Sequence, residues 1–357
     1  MAAAKLFEPL TLRGVTLRNR IGVSPMCQYS CADGYVADWH LVHLGSRAVG
    51  GAGLVLAEAT GVSAEARISP GDTGIWEDGH VDAWRRVTKF VADHGAVPGI
   101  QLAHAGWKAS TAAPWNGGKA VSPEAGGWRP VGVGARPFTD GYPVPRQATA
   151  GDLERIRREW RDAASRALAA GFRVIEIHSA HGYLLHSFLS PLSNHRTDEY
   201  GGSFENRTRL LLQIARDLRG VVPGDLPLGV RLSCTDWVDG GWTVDDSVRL
   251  AGDLRGLGID FIDCSSGGAA PAARVPVGPG YQTAFAAAVR AGANIATAAV
   301  GMITDAHQAE TILRSEQADL IFLARELLRD PYWPARAARE LGVAREGWTP
   351  VQYGRAW

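Results

Sequence analysis

Apolar residues in this chain fall into short unbroken runs separated by longer amphipathic stretches. Eight runs stand out, at 21–27, 54–60, 97–104, 173–180, 228–233, 261–266, 294–301 and 319–325. A run that is apolar at nearly every position suits a strand covered on both faces, as in a parallel sheet. The stretches between them carry helical spacing. Those at 152–171 and 204–220 begin near Asp or Ser and run into Gly, as helix caps require. Thr243, followed by Asp245 and Asp246, opens a helix after the fifth run in the same way. Eight strand–helix units predict an α/β chain folded as one (β/α)8 TIM barrel domain over residues 1–357. An open doubly wound sheet is the alternative. It usually carries a G-x-G-x-x-G turn after its first strand, and SPMCQYSCADG is not one.

One stretch breaks the alternation. Residues 107–147 are rich in Gly, Pro and Trp and lack helical period. So long a connection is seldom idle in a compact domain. It follows the third strand, which puts it on the C-terminal face of a barrel, and it reads as an active-site excursion or lid.

Strand alternation then orders the side chains. Glu176 and His178 face the barrel axis, while Ile175 and Ile177 face the helices. Gln101 and Ala103 share one face, and Arg231 projects inward. A polar cluster at the top of an apolar barrel needs partners, and Glu176 paired with Arg231 is the expected one. His178, His181 and Tyr183 leave the fourth strand within six positions. Two imidazoles and a phenol there can hold a carbonyl oxygen and deliver a proton beside it. The same histidines could bind a metal if Asp236, Asp263 or Glu58 supplied a third ligand, as in a metal-dependent barrel hydrolase. Neither H-E-x-x-H nor a facial-triad spacing is present, so the site prediction includes no metal. Gly301 and Arg325 follow the seventh and eighth strands, where barrels build phosphate sites.

Bulk properties narrow the field. The 357 residues carry 37 basic and 37 acidic side chains, a formal net charge of zero, which leaves no electrostatic footprint for nucleic acid or a membrane surface. The basic run Arg155–Arg166 is interleaved with acids and reads as a solvated helix face. Cys27, Cys31, Cys234 and Cys264 match no zinc spacing and suit a reduced, cytoplasmic setting. No leader pattern or apolar run long enough for a membrane span is seen.

SPMCQYS, AEAT, IQLAHAGWKAS, EIHSAHGYLLHSFLSPLSNHRTDEYGGSFENR, VRLS, AVGMIT, ARELLRDPYWP and QYGRAW occur in that order over nearly the whole chain. Together they resemble the bacterial xenobiotic-reductase branch of the Old Yellow Enzyme family. The resemblance implies a barrel that binds FMN non-covalently, is reduced by NADPH or NADH, and reduces an activated C=C bond in a ping-pong cycle. It implies that Pro25, Met26, Cys27 and Ala59 lie along the flavin and that Gln101 and Arg231 meet its polar edge. Gly301, Ala324 and Arg325 would hold the phosphate. His178 and His181 would bind the substrate's oxygen, Tyr183 would protonate Cα, and Tyr29 would line the pocket. It further implies a homodimer or homotetramer in which Arg355 reaches a neighbouring subunit's site, with Trp357 beside it. Trp107 departs from the branch, where a basic residue is common, and Gly61 stands where a larger residue is usual. A dienoyl-CoA reductase would need an iron–sulfur cysteine cluster, which four scattered cysteines do not form. A flavin-binding module without turnover would not need Tyr183 and both histidines.

Overall fold

The computed structural model describes residues 4–344 and 348–356. Eight parallel strands close into a barrel in sequence order. They are β1 (Ile21–Val23), β2 (Leu54–Gly61), β3 (Val97–Ala103), β4 (Val174–Ser179), β5 (Leu228–Ser233), β6 (Phe261–Ser265), β7 (Ala296–Ala299) and β8 (Leu320–Leu323). The ring outside them is α1 (Asp38–Val49), α2 (Gly79–Asp93), α3 (Ala150–Ala169), α4 (Phe204–Val221), α5 (Val244–Gly256), α6 (Thr283–Ala293), α7 (Ala306–Arg314) and α8 (Trp333–Glu340). A short antiparallel hairpin, Leu10–Leu12 with Val15–Leu17, precedes β1. The fold is the (β/α)8 barrel expected from the alternation of runs.

Element ends follow local chemistry. β1 is shorter than its apolar run. Ser24 still donates to the Leu323 carbonyl at 3.0 Å, but Pro25 has no N–H and the ladder stops there. α3 begins two residues ahead of the sequence reading. Thr149 is its N-cap and Asp152 is the reciprocal partner in a capping box. α4 passes through Gly220 and stops at Val221, because Val222 precedes Pro223 and is driven out of helical geometry. The basic face of α3 is ion-paired as well as solvated, with Arg157 2.7 Å from Asp217 and Arg155 2.5 Å from Glu65.

The barrel axis changes character from floor to mouth. At the floor, Gly22, Gly99 and Gly229 on alternate strands make room for neighbours. A Cβ on Gly229 would sit 2.2 Å from the Phe261 ring, and one on Gly22 would sit 2.4 Å from Phe322. Above that plug come Arg231, Asp263, Glu176 and Gln101. Ser233, Ser265 and His178 lie another step up the same strands. Period-two alternation carries each strand from apolar packing to polar chemistry within about five residues.

Candidate active site

The polar layer is paired, though not as the sequence suggested. Gln101 donates from Nε2 to Glu176 Oε1 at 2.7 Å. Arg231 pairs with Asp263 rather than Glu176. Its Nε is 3.0 Å from Asp263 Oδ2, close enough for an ion pair although the N–H does not aim at the oxygen. Asp263 is the register neighbour of Arg231 on β6, whereas Glu176 is met by the Gln101 amide from β3. Burial, then the Asp263 charge, raises the Glu176 pKa, and burial raises that of Asp263.

His178, His181 and Tyr183 converge as expected. The ring centres of His178 and His181 lie 5.2 Å apart, and those of His178 and Tyr183 lie 5.1 Å apart. His178 Nδ1 accepts the Ala180 N–H at 3.3 Å, so the neutral ring carries its proton on Nε2. His181 is not free-standing: its Nε2 lies 2.7 Å from Ser265 Oγ. Burial, followed by the Arg231 charge, holds both imidazoles well below their usual pKa. Burial pushes the Tyr183 phenol well above its usual value. All three groups are therefore uncharged near neutral pH.

The loop after β1 forms a second wall. Cys27 and Tyr29 pack with Tyr183 against Ile68, Ala105 and Ala109. Tyr29 takes a positive φ of 50°, a strained choice for a bulky residue. Glu58 holds this loop, its Oε2 accepting the Gln28 N–H at 2.7 Å. Glu58 sits at a β-bulge between Ala57 and Ala59, which puts Ala59 in register with Gln101. Burial, then Asp72 and Glu58, raises the Cys27 pKa, so the thiol is protonated. Pro25 and Met26 are half-buried in the same loop.

At the opposite side of the mouth, Gly301, Ala324 and Arg325 line a cavity of about 280 Å³ that reaches across to Arg231 and Ser265. Gly301 has φ +124°, and a Cβ there would meet Gln282 Nε2 at 2.8 Å, so this backbone approaches its neighbours as only glycine allows. Arg325 is exposed, and its side chain makes no hydrogen bond or ion pair among the described residues. A free guanidinium beside such a backbone suits an anionic group.

The excursion covers the other opening. Lys108, Thr111 and Tyr142 join Tyr29 and Tyr183 around a cavity of about 560 Å³. Burial lowers the Lys108 pKa to about 8, and its Nζ donates to the carbonyls of His181 at 2.9 Å and Gly268 at 3.2 Å. Arg355 lies apart from this cavity in its own chain, on a groove with Ala335, Arg339 and Trp348. Trp357 falls outside the described residues. Among the described residues no three His, Cys, Asp or Glu side chains are placed to share a metal ion. No described helix is long and apolar enough to cross a membrane.

Sequence reasoning missed Ser233, Ser265, His186 and the support from Glu58. The serines alternate with Arg231 and Asp263 on their strands, so inward phase could have found them. Nothing local marked His186, and Glu58 entered the sequence reading only as a possible third metal ligand.

Comparison with known proteins gives the family. The profile of the NADH:flavin oxidoreductase / NADH oxidase family matches residues 5–343. The NADPH dehydrogenase of Geobacillus sp. (strain WCH70) is 50% identical over 354 residues, covering 99% of this chain and 98% of that protein. A solved Old Yellow Enzyme homologue from Zymomonas mobilis superposes with a TM-score of 0.79 at 27% identity, covering 97% of this chain and 96% of that one. A 2-naphthoyl-CoA reductase superposes with a TM-score of 0.85 at 26% identity over 94% of this chain, but the chain spans only 52% of that protein's length. With its eight-stranded barrel, polar mouth and near full-length relatives, the chain belongs to the NADH:flavin oxidoreductase / NADH oxidase family and is a flavin-dependent oxidoreductase of the Old Yellow Enzyme kind.

Proposed function

We propose that the protein is an FMN-dependent ene-reductase, reduced by NADPH or NADH, that saturates a C=C bond conjugated to a carbonyl or nitro group. The observation that carries this reading is the convergence of His178, His181 and Tyr183, all uncharged, beside Arg231 on one side of a mouth whose other side offers Gly301 and Arg325. FMN suits these residues. Its phosphate matches Gly301, Ala324 and Arg325, and its polar pyrimidine edge matches Gln101 and Arg231. Pro25, Met26, Cys27 and Ala59 supply small, largely apolar surface for the ring. When bound, the flavin supplies the redox chemistry, accepting hydride from NAD(P)H and passing it to Cβ of the alkene.

The chain's own residues do the rest. Reduction of an enone builds negative charge on the carbonyl oxygen, so N–H donors placed there act as an oxyanion hole. His178 offers Nε2–H, and His181 offers Nδ1–H, its Nε2 accepting from the Ser265 hydroxyl. Neutral imidazoles suffice, and burial keeps them neutral. Tyr183 holds its proton until Cα becomes basic, then delivers it; a carbanion-like carbon is far more basic than phenolate. Tyr29 and the excursion shape the pocket and exclude water. A cytoplasmic location and small-molecule alkenes as partners complete the reading.

The test is Tyr183→Phe, followed through both half-reactions under anaerobic conditions. Loss of a general acid is expected to slow reoxidation by 2-cyclohexenone roughly 10²- to 10⁴-fold. Bleaching by NADPH should change less than about threefold. Equal loss in both halves would contradict the assigned role.

Arg355 is proposed to complete the site of a neighbouring subunit, since within its own chain it lies apart from Tyr29 and Tyr183. Removal of residues 353–357 is expected to raise KM for the alkene several-fold with kcat less affected. Unchanged kinetics would refute the shared site.

A further inference from the structure

The turn that carries His181 and leads into Tyr183 is held in an unusual way. His181 and Gly182 both have positive φ, 59° and 76°. All four backbone polar atoms of these two residues are engaged by side chains from outside the turn. The His181 N–H donates to Ser233 Oγ at 2.9 Å, and the His181 carbonyl accepts from Lys108 Nζ at 2.9 Å. The Gly182 N–H donates to His186 Nδ1 at 2.8 Å, and the Gly182 carbonyl accepts from Trp107 Nε1 at 2.6 Å.

The supports come from separate parts of the fold. Ser233 closes β5. His186 belongs to the short helix Leu184–Leu189, its Nε2 3.1 Å from Asp236, and both side chains are fully buried. Trp107 and Lys108 belong to the excursion, and Phe138, farther along it, covers both. The Phe138 ring lies 5.5 Å from the Trp107 ring, and Lys108 Nζ lies 4.2 Å above it.

A left-handed backbone at His181 is costly for a non-glycine residue and persists only when its surroundings over-determine it. Removing one donor from a buried carbonyl leaves that oxygen unsatisfied, which costs more than an ordinary hydrogen bond is worth. The indole of Trp107 is buried, so water does not readily replace it.

We propose that Trp107 is a positioning residue for His181 and Tyr183, and that Phe138 couples the excursion to the proton-delivering turn through Trp107 and Lys108. The proposal rests on the ene-reductase reading above and deepens it. The excursion then does more than cover the pocket, because its packing sets how the oxygen-binding histidine and the proton donor present themselves.

The experiment compares wild type, Trp107→Phe, Phe138→Leu and Tyr183→Phe as FMN holoenzymes. Trp107→Phe keeps an aromatic ring against Phe138 and removes the N–H donor together with part of the indole's volume. It is expected to slow reoxidation by 2-cyclohexenone about tenfold and to raise the solvent deuterium isotope effect on that step, with bleaching by NADPH within about twofold of wild type. Calorimetric affinity for cyclohexanone, which binds without being reduced, should fall several-fold as the His181 donor shifts. Phe138→Leu leaves the hydrogen bond in place and should move the same quantities about threefold. It also keeps the test open should Trp107→Phe fail to fold.

Unchanged reoxidation and ketone affinity in Trp107→Phe, with Tyr183→Phe impaired, would overturn the positioning role alone. Equal loss in both half-reactions would overturn it as general damage to the fold. An unimpaired Tyr183→Phe would overturn the underlying reading of the proton donor as well.

Discussion

The two sides of the barrel mouth are built on opposite principles. On the β3–β6 side, Gln101, Glu176, Arg231 and Asp263 are buried and already matched to one another, and His181 is engaged by Ser265. On the β7–β8 side, Arg325 is exposed with no partner among the described residues, beside an open cavity edged by Gly301. The first side is charge-paired before any ligand arrives, although Glu176 Oε2, Arg231 Nε and both Asp263 carboxylate oxygens accept or donate no hydrogen bond among the described residues. The second gains its counter-charge from what binds. Redox and proton chemistry need groups fixed in advance, because reorganising them during reaction would cost rate. A phosphate anchor needs only charge and backbone access. Substitutions on the two sides should therefore fail differently.

The largest effect is expected at Arg231. Arg231→Met leaves Asp263 buried without its cation, a loss of about 3–5 kcal/mol, so both FMN affinity and thermal stability should fall. Cys27→Ala on the facing loop removes at most a thiol hydrogen bond of about 1 kcal/mol. The flavin reduction potential should therefore shift more in Arg231→Met than in Cys27→Ala. A larger shift in the cysteine variant would reverse the assignment of these two groups.

At the open side the pattern should invert. Arg325→Ala removes a charge-assisted contact worth about 1.5–3 kcal/mol, so FMN should bind tenfold to a hundredfold more weakly. The FMN-free protein should unfold within about 0.5 kcal/mol of wild type, because the Arg325 side chain has no partner to lose among the described residues. A strongly destabilised apo protein would show that this side is also prepaired.

A smaller effect, and one that sharpens the contrast, is pH-dependent. His104 lies beneath the catalytic turn, its carbonyl accepting the Leu184 N–H at 3.0 Å. Burial lowers its pKa to about 3. Above about pH 6.5 the ring is neutral both folded and unfolded, and its contribution is fully present. Below that, the unfolded chain takes up a proton that the folded chain refuses, so stability falls as pH drops toward 3. The loss approaches about 1.4 kcal/mol per pH unit for this one group. His104→Gln should flatten the decline in unfolding free energy between pH 6.5 and pH 4.5. An unchanged slope would mean that this ring does not titrate as described.

The same division decided what could be read from the sequence. The prepaired side sits on strands, where period two fixes direction, so Gln101, Glu176, His178 and Arg231 were legible as inward residues. Partner choice was not. Whether Arg231 meets Glu176 or Asp263 depends on barrel register, which alternation alone does not set. The bulge at Glu58 was hidden for the same reason, since one extra residue in β2 leaves an apolar run looking regular. The excursion was visible as a break in pattern, yet its use of Trp107 to hold Gly182 involves residues 75 positions apart. The family resemblance supplied roles for Gly301, Ala324 and Arg325 that their spacing only hinted at.

The central claim is that reduced flavin in this protein is emptied by an activated alkene. The direct measurement is the visible spectrum of the anaerobic holoenzyme, bleached with one equivalent of NADPH and then mixed with 2-cyclohexenone. The account predicts that oxidised flavin absorbance returns and that cyclohexanone appears in equal amount. Flavin that stays bleached with the enone, and recovers only when oxygen is admitted, would contradict it.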